Sequence, residues 1–317
     1  MNPEEKYSIK IEAVPPYSFD LTLHKPAGWW WSTPDEEFKK GKCWSATRFN
    51  NQLLGLKLHS TGTPQKPQIN CTTYSKKKMD DSEKKLATGM LKRALKTEED
   101  LTDFYKLSQK DPILQDVVKD LYGMHTLGWP ELFPALILAV TLQMAPMKRS
   151  NQMMDLLIVK YGEKASFDGK TMQYWSSPQT IASKSIRELM ANAKLGYRAK
   201  NLIEIAKALT QGFPSMDELY AMVPTDAKQK LLSLYGIGGY SSELVMSQMG
   251  FPLDSWSAKI FNVLFFGKIP QNPREVIPEL KKLAEQRWGD WSGYAFVYIL
   301  NDLANLSKKV GEDLTKF

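Results

Sequence analysis

The stretch Lys228-Gln-Lys-Leu-Leu-Ser-Leu-Tyr-Gly-Ile-Gly-Gly-Tyr-Ser-Ser-Glu-Leu-Val-Met246 decides how this chain is read. Apolar residues at helical spacing run to Tyr235, break at Gly236-Ile237-Gly238-Gly239 and resume from Tyr240. The pattern predicts one helix ending near Tyr235, another beginning near Gly239, and a glycine turn between them. Glycine accepts left-handed backbone and lets another molecule come close. Backbone N–H groups at the start of the second helix would then face an anion such as a phosphate. Such a contact is blind to base sequence and sets register on a duplex. Taken alone, Gly-x-Gly-Gly between helices is more often an ordinary turn. It is no dinucleotide-binding fingerprint, because no strand precedes it, and it lacks the Gly-Lys-Ser/Thr ending of a P-loop.

Downstream comes Phe251-Pro-Leu-Asp-Ser-Trp-Ser-Ala-Lys-Ile-Phe261. Asp254 precedes a segment of helical periodicity from Ser255 to Phe266, a place where aspartate commonly acts as an N-cap. Working outward, the helical period holds from Ser82 to the end. Asp111-Pro112, Ser177-Pro178 and Asn272-Pro273 each set a capping side chain before a proline at the first helical position. Ser215 with Glu218 makes a capping box. About ten or more short helices follow, with no heptad run and no repeat of solenoid length, which excludes a coiled coil or a solenoid.

Before that region the period is two. Tyr7, Ile9 and Ile11 alternate with polar residues, as do Phe19, Leu21 and Leu23, and then Leu54, Leu56 and Leu58. This predicts strands with one buried face, and Asn50-Asn51 supplies the positive φ angles of a tight hairpin turn. Residues 62–85, rich in Pro, Lys, Ser and Asp, read as a long loop or linker, with Lys76, Lys77 and Lys78 as a solvated charge run. Trp29, Trp30 and Trp31 are assigned to packing. The expected class is α+β: an N-terminal antiparallel β-sheet domain with its linker over residues 1–82, then an all-α domain over 83–317.

Composition bounds the rest. The chain has 317 residues, 43% hydrophobic and 11% aromatic, so it can bury a sizeable core. Lys+Arg 42 against Asp+Glu 35 leaves +7, with a sequence pI near 9.1, which suits a polyanionic partner. The longest apolar run, from Ala135 to Val140, falls far short of the ~20 residues of a membrane span. Cys43 and Cys71 are too few for a four-thiolate metal site and fit a reduced intracellular thiol pair at least as well as a disulfide, so the Asn70-Cys71-Thr72 sequon is read as chance.

The ordered motifs resemble a known family. Leu234-Tyr-Gly-Ile-Gly followed by Pro252-Leu-Asp254 and Phe261 resembles the helix-hairpin-helix, loop and catalytic-aspartate signature of the HhH-GPD DNA glycosylases. Phe133-Pro-Ala-Leu-Ile-Leu-Ala-Val-Thr-Leu-Gln143 resembles the family's early core helix, which runs into the loop that wedges DNA open. Lys194-Leu-Gly-Tyr-Arg-Ala-Lys200 resembles a segment of the 8-oxoguanine branch. Arg287-Trp-Gly-Asp-Trp-Ser-Gly-Tyr-Ala295 resembles the C-terminal helix that closes the pocket. The N-terminal sheet fits the AlkA-type (3-methyladenine DNA glycosylase II) and 8-oxoguanine branches.

The resemblance implies a site. Asp254 would stabilise the positive charge that develops on the sugar as an N-glycosidic bond breaks. Bifunctional relatives carry a lysine where this chain has Tyr240, so the resemblance implies base removal without strand nicking. Phe296 falls where the 8-oxoguanine branch has a polar reader, and that favours alkylated purines. Cationic leaving groups such as 3-methyladenine or 7-methylguanine need no protonation, and no second acid stands near Asp254 in sequence; His24 and His59 lie in the sheet region and His125 is read as a surface or packing residue. Gly236, Gly238 and Gly239 would hold DNA phosphate, with Gln143 and Met144 at the wedge. Tyr240, Trp256, Phe296 and Tyr298 are the aromatic candidates for the base pocket. Gly236 and Gly238 would also offer backbone carbonyls to a monovalent cation. Expected partners are double-stranded DNA with damaged bases and no membrane, with no cofactor, for a monomer in the cytoplasm or nucleoid (the nucleus in a eukaryote). Same-family action on hypoxanthine or 8-oxoguanine, or non-catalytic binding of a DNA structure, are the competing readings.

Overall fold

The computed structural model describes residues 5–27, 32–246 and 250–317. Trp29, Trp30 and Trp31 lie outside the described residues. The chain opens with β1 (Glu5–Glu12), α1 (Phe19–Leu23), β2 (Glu37–Lys39), β3 (Lys42–Phe49), β4 (Gln52–Ser60) and β5 (Gln68–Ser75). Four helices follow: α2 (Asp81–Leu95), α3 (Thr102–Ser108), α4 (Leu114–Asp120) and α5 (Leu132–Leu142). Then come α6 (Met147–Tyr161), β6 (Glu163–Phe167), β7 (Lys170–Tyr174), α7 (Pro178–Ala182), α8 (Ile186–Ala193), α9 (Arg198–Thr210) and α10 (Met216–Ala221). The last stretch holds α11 (Pro224–Leu232), α12 (Gly239–Val245), α13 (Ser255–Phe266), α14 (Ile277–Trp288), α15 (Ser292–Asn301) and α16 (Leu303–Val310). This is the expected α+β class.

The sheet is antiparallel in the order β1-β5-β4-β3-β2. Asn50 and Asn51, at φ 46° and 59°, close the β3–β4 hairpin as a two-residue turn whose twist matches its strands. Leu54, Leu56 and Leu58 are fully buried against Met90, Leu91 and Leu95 of α2. Three expectations change here. The alternation at Phe19, Leu21 and Leu23 is a short helix, capped by the Ser18 side chain accepting from Leu21 N–H. Residues 62–85 are not one loop, because β5 and the start of α2, with the Asp80–Glu83 capping box, fall inside them. The helical region is interrupted by the β6–β7 hairpin, which five residues per strand make too short for a period to stand out.

That hairpin also covers the second face of the sheet. Phe167 lies where a side chain on Gly55 of β4 would be, 2.3 Å from the position of a Cβ, so only glycine leaves room for the ring. The centre of the sheet is therefore buried on both faces rather than one. Trp44, Ala46 and Leu53 share a core with Phe167, Tyr174 and the helices from α5 to α12. A separate core joins α3 and α4 to α13, α14 and α15. A seam runs between these two helical cores.

The capping signals hold in part. Ser177-Pro178 and Ser215/Glu218 cap α7 and α10 as expected. Asn272 accepts from Arg274 N–H in a turn, and α14 begins only at Ile277. Asp111 does more than cap. Its Oδ1 accepts from Ile113 and Leu114 N–H at 2.9 Å each, and its Oδ2 accepts from Trp288 Nε1 at 2.9 Å and from Arg287 Nε. Burial would raise this carboxyl, but the four hydrogen bonds outweigh it and hold the group below the usual carboxylate range. The stabilisation is thus present above the unfolded value of about 3.9 and is lost as pH falls through the lower folded value. Asp111→Asn should cost about 2 kcal/mol near neutrality. Thermal unfolding from pH 7 down to pH 3 should show the gap between wild type and variant closing toward the acid end.

Candidate active site

The glycine turn seats itself through Ile237, which is 6% exposed within the α5–α12 core. Gly236 has φ +75°, and a Cβ there would lie 2.4 Å from Asn201 Nδ2. Both facts require glycine. Gly238 differs: its backbone is extended at φ −108° and ψ −175°, and Gly239 is the first residue of α12. Nothing lies within 4 Å of a Cβ built on either, so open space rather than protein faces these two. Of the three glycines, only Gly236 is left-handed.

A cleft of about 1400 Å³ opens on the seam between the two helical cores. Gly238, Gly239, Tyr240 and Ser241 line one side, and Leu253, Asp254, Ser255 and Trp256 line another. Asp254 is the N-cap of α13 in a complete capping box with Ser257. Its Oδ1 accepts from Trp256 N–H at 3.0 Å, Ser257 N–H at 2.7 Å and Ser257 Oγ at 2.7 Å. Among the described residues no donor is bonded to Oδ2. The cap and an available carboxylate oxygen therefore coexist in one residue. Tyr240 sits near enough for the Asp254 charge to act on it; burial first, and that charge second, raise its hydroxyl well above the ordinary tyrosine value and keep it protonated.

The loop between α5 and α6 forms the rim. Met144 is 73% exposed at φ +48°, a left-handed backbone that a non-glycine residue seldom adopts, so it is not a core methionine. Gln143 beside it lines the cleft, but its amide is engaged: Nε2 donates to Gly236 O at 2.7 Å and to Ser241 Oγ at 3.0 Å. Its main-chain carbonyl accepts from the Arg198 guanidinium.

Two expectations fail on geometry. Phe296 is 5% exposed and packs against Phe251 and Phe261, at ring distances of 5.4 and 5.6 Å. Tyr298 is fully buried and donates to Met124 O. The cleft reaches only the last turn of α15, at Leu300 and Asn301, while the preceding turns belong to the aromatic core. A cation at the carbonyls of Gly236 and Gly238 would use the second lone pair of each. Gly236 O already accepts from Gln143, and Gly238 O accepts the first α12 bond, from Ser242 N–H at 2.9 Å. Among the described residues no cluster of His, Cys, Asp and Glu is arranged to hold a metal ion. Lys76, Lys77 and Lys78 are exposed. His125 is fully buried and packs against the Tyr17 ring, centroids 4.7 Å apart, a packing role.

Other residues enter that the sequence did not single out. Pro26 and Ala27 reach the cleft from the N-terminal part, with Ala27 N–H donating to Asn301 Oδ1 at 3.1 Å. Arg274, Thr315 and Phe317 also line it. They come from separate segments of the chain, so no local pattern marks them as one site.

No family model matches the chain. It is 25% identical over 207 residues to the DNA-3-methyladenine glycosylase of Bacillus subtilis, a match covering 63% of this chain and 66% of that protein. Its fold superposes on the 3-methyladenine DNA-glycosylase of Archaeoglobus fulgidus with a TM-score of 0.72 at 16% identity, over 94% of this chain and 99% of that one. The 8-oxoguanine glycosylase/lyase of Clostridium acetobutylicum, in its complex with duplex DNA, superposes with a TM-score of 0.68 at 14% identity, over 97% of this chain and 100% of that one. The chain thus shares the fold of these DNA glycosylases. Such a hairpin keeps glycine for two different reasons, and substitution separates them. Gly236→Ala should lower the melting temperature by an amount equivalent to about 1–2 kcal/mol. Gly238→Ala should melt within a degree or so of wild type.

Proposed function

We propose that this chain is a monofunctional DNA glycosylase of base excision repair, which flips an alkylated purine out of duplex DNA and hydrolyses its N-glycosidic bond with Asp254. The observation that carries the reading is the meeting of Asp254 and Tyr240 in one cleft, bordered by the glycine hairpin and by the exposed Met144. The name of the Bacillus subtilis relative favours 3-methyladenine and its kin as the substrate class.

In this reading the hairpin holds a backbone phosphate, with Gly238 and Gly239 leaving space for its approach. Lys200, stacked over the Tyr235 ring at 4.8 Å, adds positive charge beside it. Met144 enters the duplex where the damaged base leaves, a step costing a few kcal/mol of stacking. The base enters the cleft between apolar and aromatic walls, with Tyr240 and Trp256 as stacking surfaces, well suited to the delocalised positive charge of an alkylated purine. As the glycosidic bond breaks, its electron pair leaves with the base and the sugar becomes an oxocarbenium ion. Asp254 stabilises that charge, and water adds to C1′ with loss of a proton. At ~4 Å and an effective dielectric of ~20 such a charge pair is worth about 4 kcal/mol, roughly a thousandfold in rate.

No lysine is among the described residues that line the cleft, and Tyr240 supplies no amine, so no Schiff base forms and the strand is left unnicked. The protein's partner in this reading is double-stranded DNA with a damaged base, in the cytoplasm or nucleoid or, in a eukaryote, the nucleus. Among the described residues no helix is long and apolar enough to cross a membrane.

Base release from duplexes carrying 3-methyladenine, 7-methylguanine, hypoxanthine or 8-oxoguanine tests this, with wild type beside Asp254→Asn and nicking scored separately. The expected result is methylpurine release without nicking, slowed about a thousandfold in the variant while duplex binding is kept or tightened. Release of hypoxanthine or 8-oxoguanine alone would replace the substrate class. Binding with no release from any lesion would leave a DNA-binding protein and sink the enzymatic reading.

A further inference from the structure

Gln143 is held at both ends of its own residue. Its carbonyl accepts from the Arg198 guanidinium at the first turn of α9, and its side-chain amide donates to Gly236 O and Ser241 Oγ. Arg198 is 8% exposed, and its guanidinium also lies 4.6 Å from the Tyr197 ring. One turn into α9, Asn201 is also buried, and its amide fills the space under Gly236 that any Cβ would occupy. Four elements therefore converge within a few residues: the α5–α6 loop, the start of α9, the glycine turn and the start of α12. At the free end of this assembly stands Met144, with its left-handed backbone and exposed side chain. A left-handed non-glycine residue persists where its surroundings over-determine it, and the bonds to the neighbouring Gln143 are what do so here.

We propose that Arg198 and Gln143 form a strut that locks the Met144 loop to the glycine hairpin, so that phosphate anchoring and insertion of Met144 occur as one rigid event. Arg198 is then a positioning residue, acting on the plug through the Gln143 carbonyl. Gln143, placed at the DNA by sequence, acts instead as the joint between plug and hairpin. The proposal rests on the glycosylase reading for its activity consequence, but its structural core does not.

The strut should matter where a base must be pushed out of the stack and not where the base is already outside. The lesion released best by the wild type is placed once in a fully paired duplex and once in a single-nucleotide bulge. Arg198→Met is expected to slow single-turnover release from the paired duplex by about tenfold or more and from the bulge by less than about threefold. Gln143→Met should show the same asymmetry, and the double variant should be no slower than the worse single, because both cuts sever one connection. Equal losses on both substrates, or additive losses, would overturn the strut. Amide hydrogen exchange of the two full-length variants supplies a readout free of catalysis. Cutting either end should speed exchange in both the 143–147 loop and the 236–239 turn, whereas exchange unchanged in both segments would overturn the proposal even for a protein that releases no base. If Arg198→Met does not fold, Gln143→Met alone carries both measurements.

Discussion

The capping of α13 by Asp254 is the constraint on which the site depends. Three donors hold one carboxylate oxygen at the helix N-terminus, where the backbone dipoles also favour the anion. The carboxylate is thereby fixed in place, and among the described residues no cationic side chain is paired with it. A flexible carboxylate would have to be immobilised during the reaction, whereas this one is immobilised by the fold. In the proposed reaction, the same bonds that start a helix would preorganise an electrostatic group for a developing positive charge.

Around that anchor the fold brings together parts that belong to different cores. Tyr240 rides on α12 with the first helical core, while Asp254 and Trp256 open α13 of the second. A seam between two separately packed bodies leaves a cleft with stiff walls on each side, the place where a ligand site is generally found. Lys281 of α14 donates to Glu243 of α12 across it at 2.7 Å, and further long-range contacts fix its edges. Ala27 bonded to Asn301 ties the N-terminal segment to the end of α15, and Gln143 bonded to Gly236 ties the rim to the hairpin. Both bring backbone groups to side-chain amides, which offer a donor and an acceptor on one short arm.

Sheet and helices are also less separate than a change of period suggests. Phe167 on the inserted hairpin occupies the space above Gly55, and Trp44 of the sheet donates to Asp168 at the turn of that hairpin at 2.8 Å. Arg48 of β3 pairs with Glu131 before α5 and with Glu163 at the start of β6. Burial pushes the Glu131 carboxyl up to about 7 even though Arg48 pulls the other way. The N-terminal sheet is thus pinned to the helical part by aromatic packing and a buried ion pair, and Pro26 and Ala27 extend that part into the cleft.

By itself the sequence determined what local physics controls. The α+β class, the Asn50-Asn51 turn, the capping box at Ser215, the helix–glycine–helix segment and the cap at Asp254 depend on residues a few positions apart. Periodicity, turn chemistry and capping are properties of such short windows. Tertiary structure decided the rest. Phe296 and Tyr298 were indistinguishable from pocket aromatics in sequence, and only the depth of the cleft along α15 sends them to the core. The β6–β7 hairpin was hidden because five-residue strands carry too few residues for a period, β5 because its buried face sets the polar Thr73 and Ser75 beside Ile69 and Cys71, and α1 because five residues fit either period. Arg198, Asn201 and Asn301 acquired roles from partners tens to hundreds of positions away. Spatial convergence of that kind leaves no trace in spacing, because the chain's turns, not its local composition, decide which side chains meet.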